Sequence, residues 1–212
     1  MTPSDNQHSV AAAGAQEQAA PGRLEVVRRF VNTQDIEDGI EELATPAAVR
    51  AWLRGQGLPG VTRLDAPRME RLIGLRDTLR RLLLANNGDT NNGDTNNDDL
   101  QGDAALERLR AEAARVPLRV RFDGEGQSAL VPGGAGIDAV IGELIGIVHE
   151  AMADGTWRRL KACRSETCEW AFYDRSRNRS GTWCSMAVCG NREKARSYRR
   201  RHTSRESAPK DD

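Results

Sequence analysis

Four cysteines confined to residues 163–189 constrain this chain more than any other feature. Cys163 and Cys168 are separated by four residues, Cys184 and Cys189 by another four, and fifteen residues lie between the pairs. Zinc takes four ligands at the corners of a tetrahedron, and thiolates bind it well. Two short pairs joined by a longer segment let two loops share one ion. The spacing predicts one structural zinc on Cys163, Cys168, Cys184 and Cys189. Four sulfur ligands leave no open position, so the metal is not expected to be catalytic. The alternatives are two disulfides, a redox pair or four buried thiols. Disulfides are disfavoured because the chain opens Met1-Thr2-Pro3-Ser4-Asp5, without the basic start and apolar run of a secretory signal. A Cys-x-x-Cys redox motif is absent. A segment of about 45 residues buries little apolar surface, so the finger is expected to need its metal to fold.

Charge divides the chain at the same place. The 212 residues carry 31 basic and 31 acidic side chains, but the balance is local. Residues 23–156 hold 16 basic against 22 acidic side chains, and residues 157–212 hold 15 against 7. Six of the nine aromatics, Trp157, Trp170, Phe172, Tyr173, Trp183 and Tyr198, also fall in the second part. Such asymmetry points to two parts with different partners, divided near Gly155. No run approaches eighteen apolar residues, so no membrane helix is expected and the chain reads as cytoplasmic.

The first part reads as helical. Residues 1–22, rich in Ala, Gln and Ser without periodicity, are expected to be disordered. Leu24, Val27, Phe30 and Val31 recur at helical spacing. Thr45-Pro46 is a helix start, with Thr as cap and Pro at the first helical position. Val49, Trp52 and Leu53 follow on one face, and Gly55, Gly57 and Pro59 end that helix. Asp65-Ala66-Pro67 opens the next, with Met69, Leu72, Ile73, Leu79, Leu82 and Leu83 inward. Asn86 to Thr90 then repeats as Asn91 to Thr95, and residues 86–99 read as a surface loop without a role. Its Asp and Asn lack the spacing and closing Glu of a calcium loop. Leu106, Leu109, Ala113 and Val116 predict a helix. Leu118 to Phe122 and Ser128 to Val131 predict a hairpin about Asp123-Gly124-Glu125-Gly126. Ile137, Val140, Ile141, Leu144, Ile145, Val148 and Met152 give the clearest helical stripe, suited to a core or to a homodimer interface. The expected fold is therefore α+β and mainly α: a helical domain over residues 23–155 with one hairpin, then a small zinc finger over 157–203 ending in a basic helix, then a disordered tail over 204–212.

After Gly190 the chain runs to His202 without a helix breaker, enough for a helix of about 13 residues, roughly 20 Å long. Arg192, Arg196, Arg199 and the adjacent Arg200 fall on one face, with Lys194 beside them. Asn191 stands where it caps the helix or meets a base edge. Arg175, Arg177 and Arg179 lie between the cysteine pairs. Arginine pairs bidentately with phosphate and with guanine's major-groove edge, so these residues are the candidate DNA contacts. The alternatives are a solvated basic face, a tail that docks on the acidic part of the same chain, and a zinc-stapled module that binds other proteins.

Cys189-Gly190-Asn191-Arg192, closing a four-cysteine cluster, resembles the CGNR zinc-finger family. Leu160-Lys161-Ala162-Cys163, the run Trp170 to Asn178, and Trp183-Cys184 are similar to the same finger. Phe30-Val31-Asn32-Thr33 and Gly74-Leu75-Arg76 resemble the ABATE domain that precedes it. The resemblance covers about residues 24–203. It implies a bacterial transcription regulator, associated with stress, whose upstream domain senses a small molecule or a protein. Asn32 and Arg76 are the polar candidates for a ligand site there. An enzyme is not expected: Asn32, Asp35, Arg76 and His149 are the available polar groups, and they match no reaction template.

Overall fold

The computed structural model describes residues 18–88 and 95–206, with the backbone alone over 95–101 and 200–206. The expected α+β, mainly α architecture is observed, with six α-helices among the described residues. Helix α1 (Leu24–Val31) buries Leu24, Val27, Phe30 and Val31. A two-residue ladder follows, β1 (Gln34–Asp35) against β2 (Ile40–Glu41). Helix α2 (Pro46–Gly55) starts as its sequence dictates: Thr45 Oγ1 accepts from the Ala48 N–H at 3.2 Å, with Pro46 in the first turn. Helix α3 (Ala66–Ala85) is capped in the same way, Asp65 Oδ1 accepting from the Arg68 N–H at 3.3 Å.

Helix α4 (Thr95–Arg115) packs along α3 and begins inside the segment expected to be loop. Close packing explains the early start. A Cβ on Gly102 would lie 3.3 Å from Ala85 Cβ, and a helix propagates cheaply once a neighbour holds it. Residues 89–94 lie outside the described residues.

Strands β3 (Leu118–Phe122) and β4 (Ser128–Pro132) form the expected hairpin, in register from Leu118 opposite Pro132 to Phe122 opposite Ser128. Asp123 Oδ1 accepts from the Glu125 and Gln127 N–H groups at 2.9 Å, and Gly126, at φ 80°, completes the turn. Helix α5 (Ile137–Ala153) is central. It meets α1, α3, α4 and β4, and it is buried on nearly every side. Its apolar stripe serves the core from Ile137 to Val148, whereas Met152 at its end is exposed.

The C-terminal part adds β5 (Leu160–Ala162), paired with β6 (Ala171–Tyr173), then a π-helical turn at Met186–Gly190, then helix α6 (Asn191–Glu206). These strands and β1–β2 were not predicted, because two or three residues give no legible alternation. Nor does the chain part cleanly near Gly155. Trp157, Leu160, Ala162 and Ala171 belong to the same buried core as α1, α3 and α5. Residues 18–22, expected to be disordered, lie against this part. Tyr173 N–H donates to the Gln18 carbonyl at 3.0 Å, and Arg175 Nη2 donates to the Ala19 carbonyl at 2.8 Å. Residues 1–17 and 207–212 lie outside the described residues, while 204–206 continue α6.

Candidate metal centre

Cys163 and Cys168 sit in the loop of the β5–β6 hairpin, and Cys189 lies in the turn that launches α6. Cys184 precedes that turn. The hairpin loop is held by Cys163 N–H donating to the Trp170 carbonyl at 2.9 Å and Cys168 N–H to the Ser165 carbonyl at 2.8 Å. Glu169 takes the left-handed conformation at φ 47° to close it. In the turn, Ser185 Oγ accepts from the Val188 N–H at 3.3 Å. A Cβ on Gly190 would lie 2.5 Å from Met186 Sδ, the flexible end of an exposed side chain that can swing away, and 3.3 Å from the Trp183 ring.

The four Sγ atoms all lie within 4.8 Å of one another. Cys168 and Cys184 are 3.6 Å apart, and Cys184 and Cys189 are 3.7 Å apart. A tetrahedron of thiolates at the usual zinc–sulfur distance has edges of about 3.8 Å. The donor set and its spacing thus fit one structural zinc, and no sulfurs are bonded to each other. Three of the cysteines are buried and Cys184 is half-buried. Trp170 and Trp183 pack on the cluster and form a small second core. The close approach of the four thiols couples their acidities. Hydrogen bonds from Cys168 and then Cys184 lower the Cys163 thiol to about 2. The proximity of that sulfur raises Cys168 and Cys184, while burial first, then the charge on Cys163, raises Cys189. One thiolate forms at the expense of the others, and a dication removes the conflict.

A buried ion pair organises the loop between the cysteine pairs. Lys161 Nζ meets Asp174 Oδ2 at 2.9 Å with both side chains 2% exposed. The same ammonium donates to the Arg179 and Gly181 carbonyls. Asp174 also accepts from the Ser176 and Gly181 N–H groups at 2.9 Å. Burial opposes the carboxylate, but Lys161 and these donors prevail and hold its pKa at about 2.

Three asparagines tie the hairpin to the helices. Asn32 Oδ1 accepts from the Ala171 N–H at 2.7 Å and its Nδ2 donates to the Ala171 carbonyl at 2.9 Å. Asn86 Nδ2 donates to the Trp157 and Leu160 carbonyls, and Asn87 Nδ2 to the Ala162 carbonyl, all at 2.9 Å. The head of the Asn-rich repeat therefore has a role after all: it clasps β5. Sequence reasoning missed it because the two copies of the repeat look alike.

The remaining candidates are placed as follows. Asn32 and Arg76 do not form a shared ligand site. Asn32 is spent on β6, and Arg76, 1% exposed, pairs with Glu41 at 2.7 Å. Asp35 Oδ1 caps the Asp38 N–H, and His149 is exposed on α5. Asn191 Nδ2 donates to the Ala187 carbonyl at 3.1 Å, joining α6 to the preceding turn. Arg192 Nη2 meets Glu37 Oε1, in the β1–β2 turn, at 2.7 Å. Arg177, Arg179, Lys194 and Arg199 are exposed, as is Arg175, which stacks over Tyr173 at 5.6 Å. Arg196 is half-buried, 3.7 Å from Glu193, and the Arg200 side chain lies outside the described residues. Among the described residues, the cysteines are the only group of three or more His, Cys, Asp or Glu placed to hold a metal, and no helix is long and apolar enough to cross a membrane.

A helical domain closed by a four-thiolate centre that launches a basic helix defines a zinc-finger protein. A model of the CGNR zinc finger matches residues 159–202, and the ABATE model, described as "Putative stress-induced transcription regulator", matches residues 24–154. The chain belongs to the ABATE family. No curated protein matches it.

Proposed function

We propose that the protein is a DNA-binding transcription regulator whose zinc centre presents α6 to the duplex. The observation that carries this reading is that α6 leaves directly from Cys189, with Lys194 and Arg199 exposed along it. The loop bearing Arg175, Arg177 and Arg179 starts from the same centre, fixed by Lys161 and Asp174. A helix anchored by metal at its start gives up little conformational freedom on docking, and its cations neutralise phosphates. The role is binding rather than catalysis.

Selection of the zinc-loaded chain against random duplexes, followed by a salt titration, tests the reading. With about 4–6 phosphate contacts, log affinity falls against log salt with a slope near −4 to −5. An enriched motif with that slope supports a sequence-specific regulator; a flat salt response refutes the DNA interface.

One contact favours a second reading, a module that docks on acidic protein surfaces. Arg192 already meets such a surface in Glu37 of its own chain. The two readings separate at this pair. If Arg192 serves DNA it must leave Glu37, so Glu37→Gln tightens DNA binding by a factor of about 2–5, the size of an exposed ion pair. An unchanged affinity places Arg192 outside the DNA interface.

A further inference from the structure

We infer that the seam between the helical domain and the zinc finger is a binding site for a small aromatic carboxylate that also carries a hydrogen-bond donor. A cleft of about 290 Å³ opens there, with Arg28, Arg29, Asn32, Trp52, Gln56 and Trp170 in its wall. This is near the lower end of the range that ligand pockets occupy. Two indoles in one small cleft supply flat surface for an aromatic ring.

Most of the wall is held in place from behind. Trp52 rests on Phe30 with ring centroids 5.5 Å apart, and Trp170 packs on the cysteine cluster. Arg28 is gripped by both oxygens of Glu25, and Asn32 by both backbone groups of Ala171. A wall fixed before binding loses little freedom on binding.

Arg29 differs. Its Nε meets Glu25 at 2.9 Å, no partner for its Nη groups is found among the described residues, and its side chain is 56% exposed. It is the group suited to a ligand carboxylate. Glu42, also in the wall, is an acceptor and selects a ligand with an N–H or O–H. Another open depression among the described residues, about 210 Å³ beside Pro21 and Asp154, has no aromatic wall, so the same chemistry does not extend to it.

The site stands independently of what α6 binds. Its test is calorimetric titration of the full zinc-loaded chain with anthranilate, indole-3-acetate and L-tryptophan, and with indole as the probe without a carboxylate. At least one acid is expected to bind with a dissociation constant below about 1 mM, and indole at least about ten-fold more weakly. Arg29→Gln should weaken the acid at least about ten-fold. Gln56→Trp, which fills the cleft from its rim, should abolish binding while zinc content and helical signal stay at the parent level. No saturable binding by any acid, equal binding of indole, or an undiminished affinity in Arg29→Gln overturns the proposal.

Discussion

Asp174 and Lys161 are the residues whose loss the finger should tolerate least after its cysteines. Both are buried, and each satisfies the other together with the backbone of 176–181. Removing one partner strands the other charge, at a cost of about 3–5 kcal/mol, whereas replacing both with apolar residues of similar volume is often neutral. Asp174→Asn is therefore expected to lower the denaturant midpoint of the zinc-loaded protein strongly, and Lys161→Met with Asp174→Leu to recover only part of the loss, because the Ser176 and Gly181 N–H groups and the Arg179 and Gly181 carbonyls then lose their partners. Acid gives a second prediction. The folded carboxyl sits at about 2, below the unfolded value near 3.9, so the pair's contribution is complete above pH ~4 and disappears as pH falls through about 2. Protons compete for zinc-bound thiolates at higher pH than this. Metal release, followed with a chromogenic chelator, should therefore begin well above pH 2, and order at Lys161 and Asp174 seen by NMR should be lost together with the metal rather than at the pair's own titration. The sequence displayed the four ligands plainly because the chemistry needs their identity and spacing. Lys161 and Asp174 were visible only as part of a family resemblance, since nothing local marks a lysine as buried.

Among the elements, α5 is the one most sensitive to small additions. Gly142 lets the hairpin approach closely: a Cβ there would stand 3.1 Å from Pro132 Cβ and 3.3 Å from Leu118 Cδ2. Gly142→Val should cost about 1–3 kcal/mol by overpacking, read as a lower melting temperature without loss of zinc. Helix periodicity and capping made α1, α2, α3 and α5 legible, and the turn at Asp123 made β3–β4 legible. Elements whose reason is tertiary were not. Strands β5 and β6 exist because Asn86, Asn87 and Asn32 complete their backbone bonds from helices far away in sequence. Helix α4 begins early because α3 lies against it. The family resemblance offered Asn32 and Arg76 as polar candidates for a ligand site, and the structure gives them other work: one holds β6, the other Glu41.

At the scale of the molecule, the charge division near Gly155 does not divide the fold. Leu160, Ala162 and Ala171 complete a core whose other walls are α1, α3 and α5. A chain ending at Gly155 should therefore bind a hydrophobic dye and lose its cooperative melt, and removing zinc from the full chain should lower a single transition rather than split it into two. A separate melt for the finger, or a truncated form with a sharp transition, would contradict this. The asparagine clasp also bears on biosynthesis. The helices are made first, yet the backbone groups that Asn32, Asn86 and Asn87 hold are made only with residues 157–171. While the chain is being synthesised, the helical part carries an open groove and three unanswered amides. It closes only when the cysteine segment arrives, so a chain cut short before that segment is expected to be cleaved by added protease faster than the full chain.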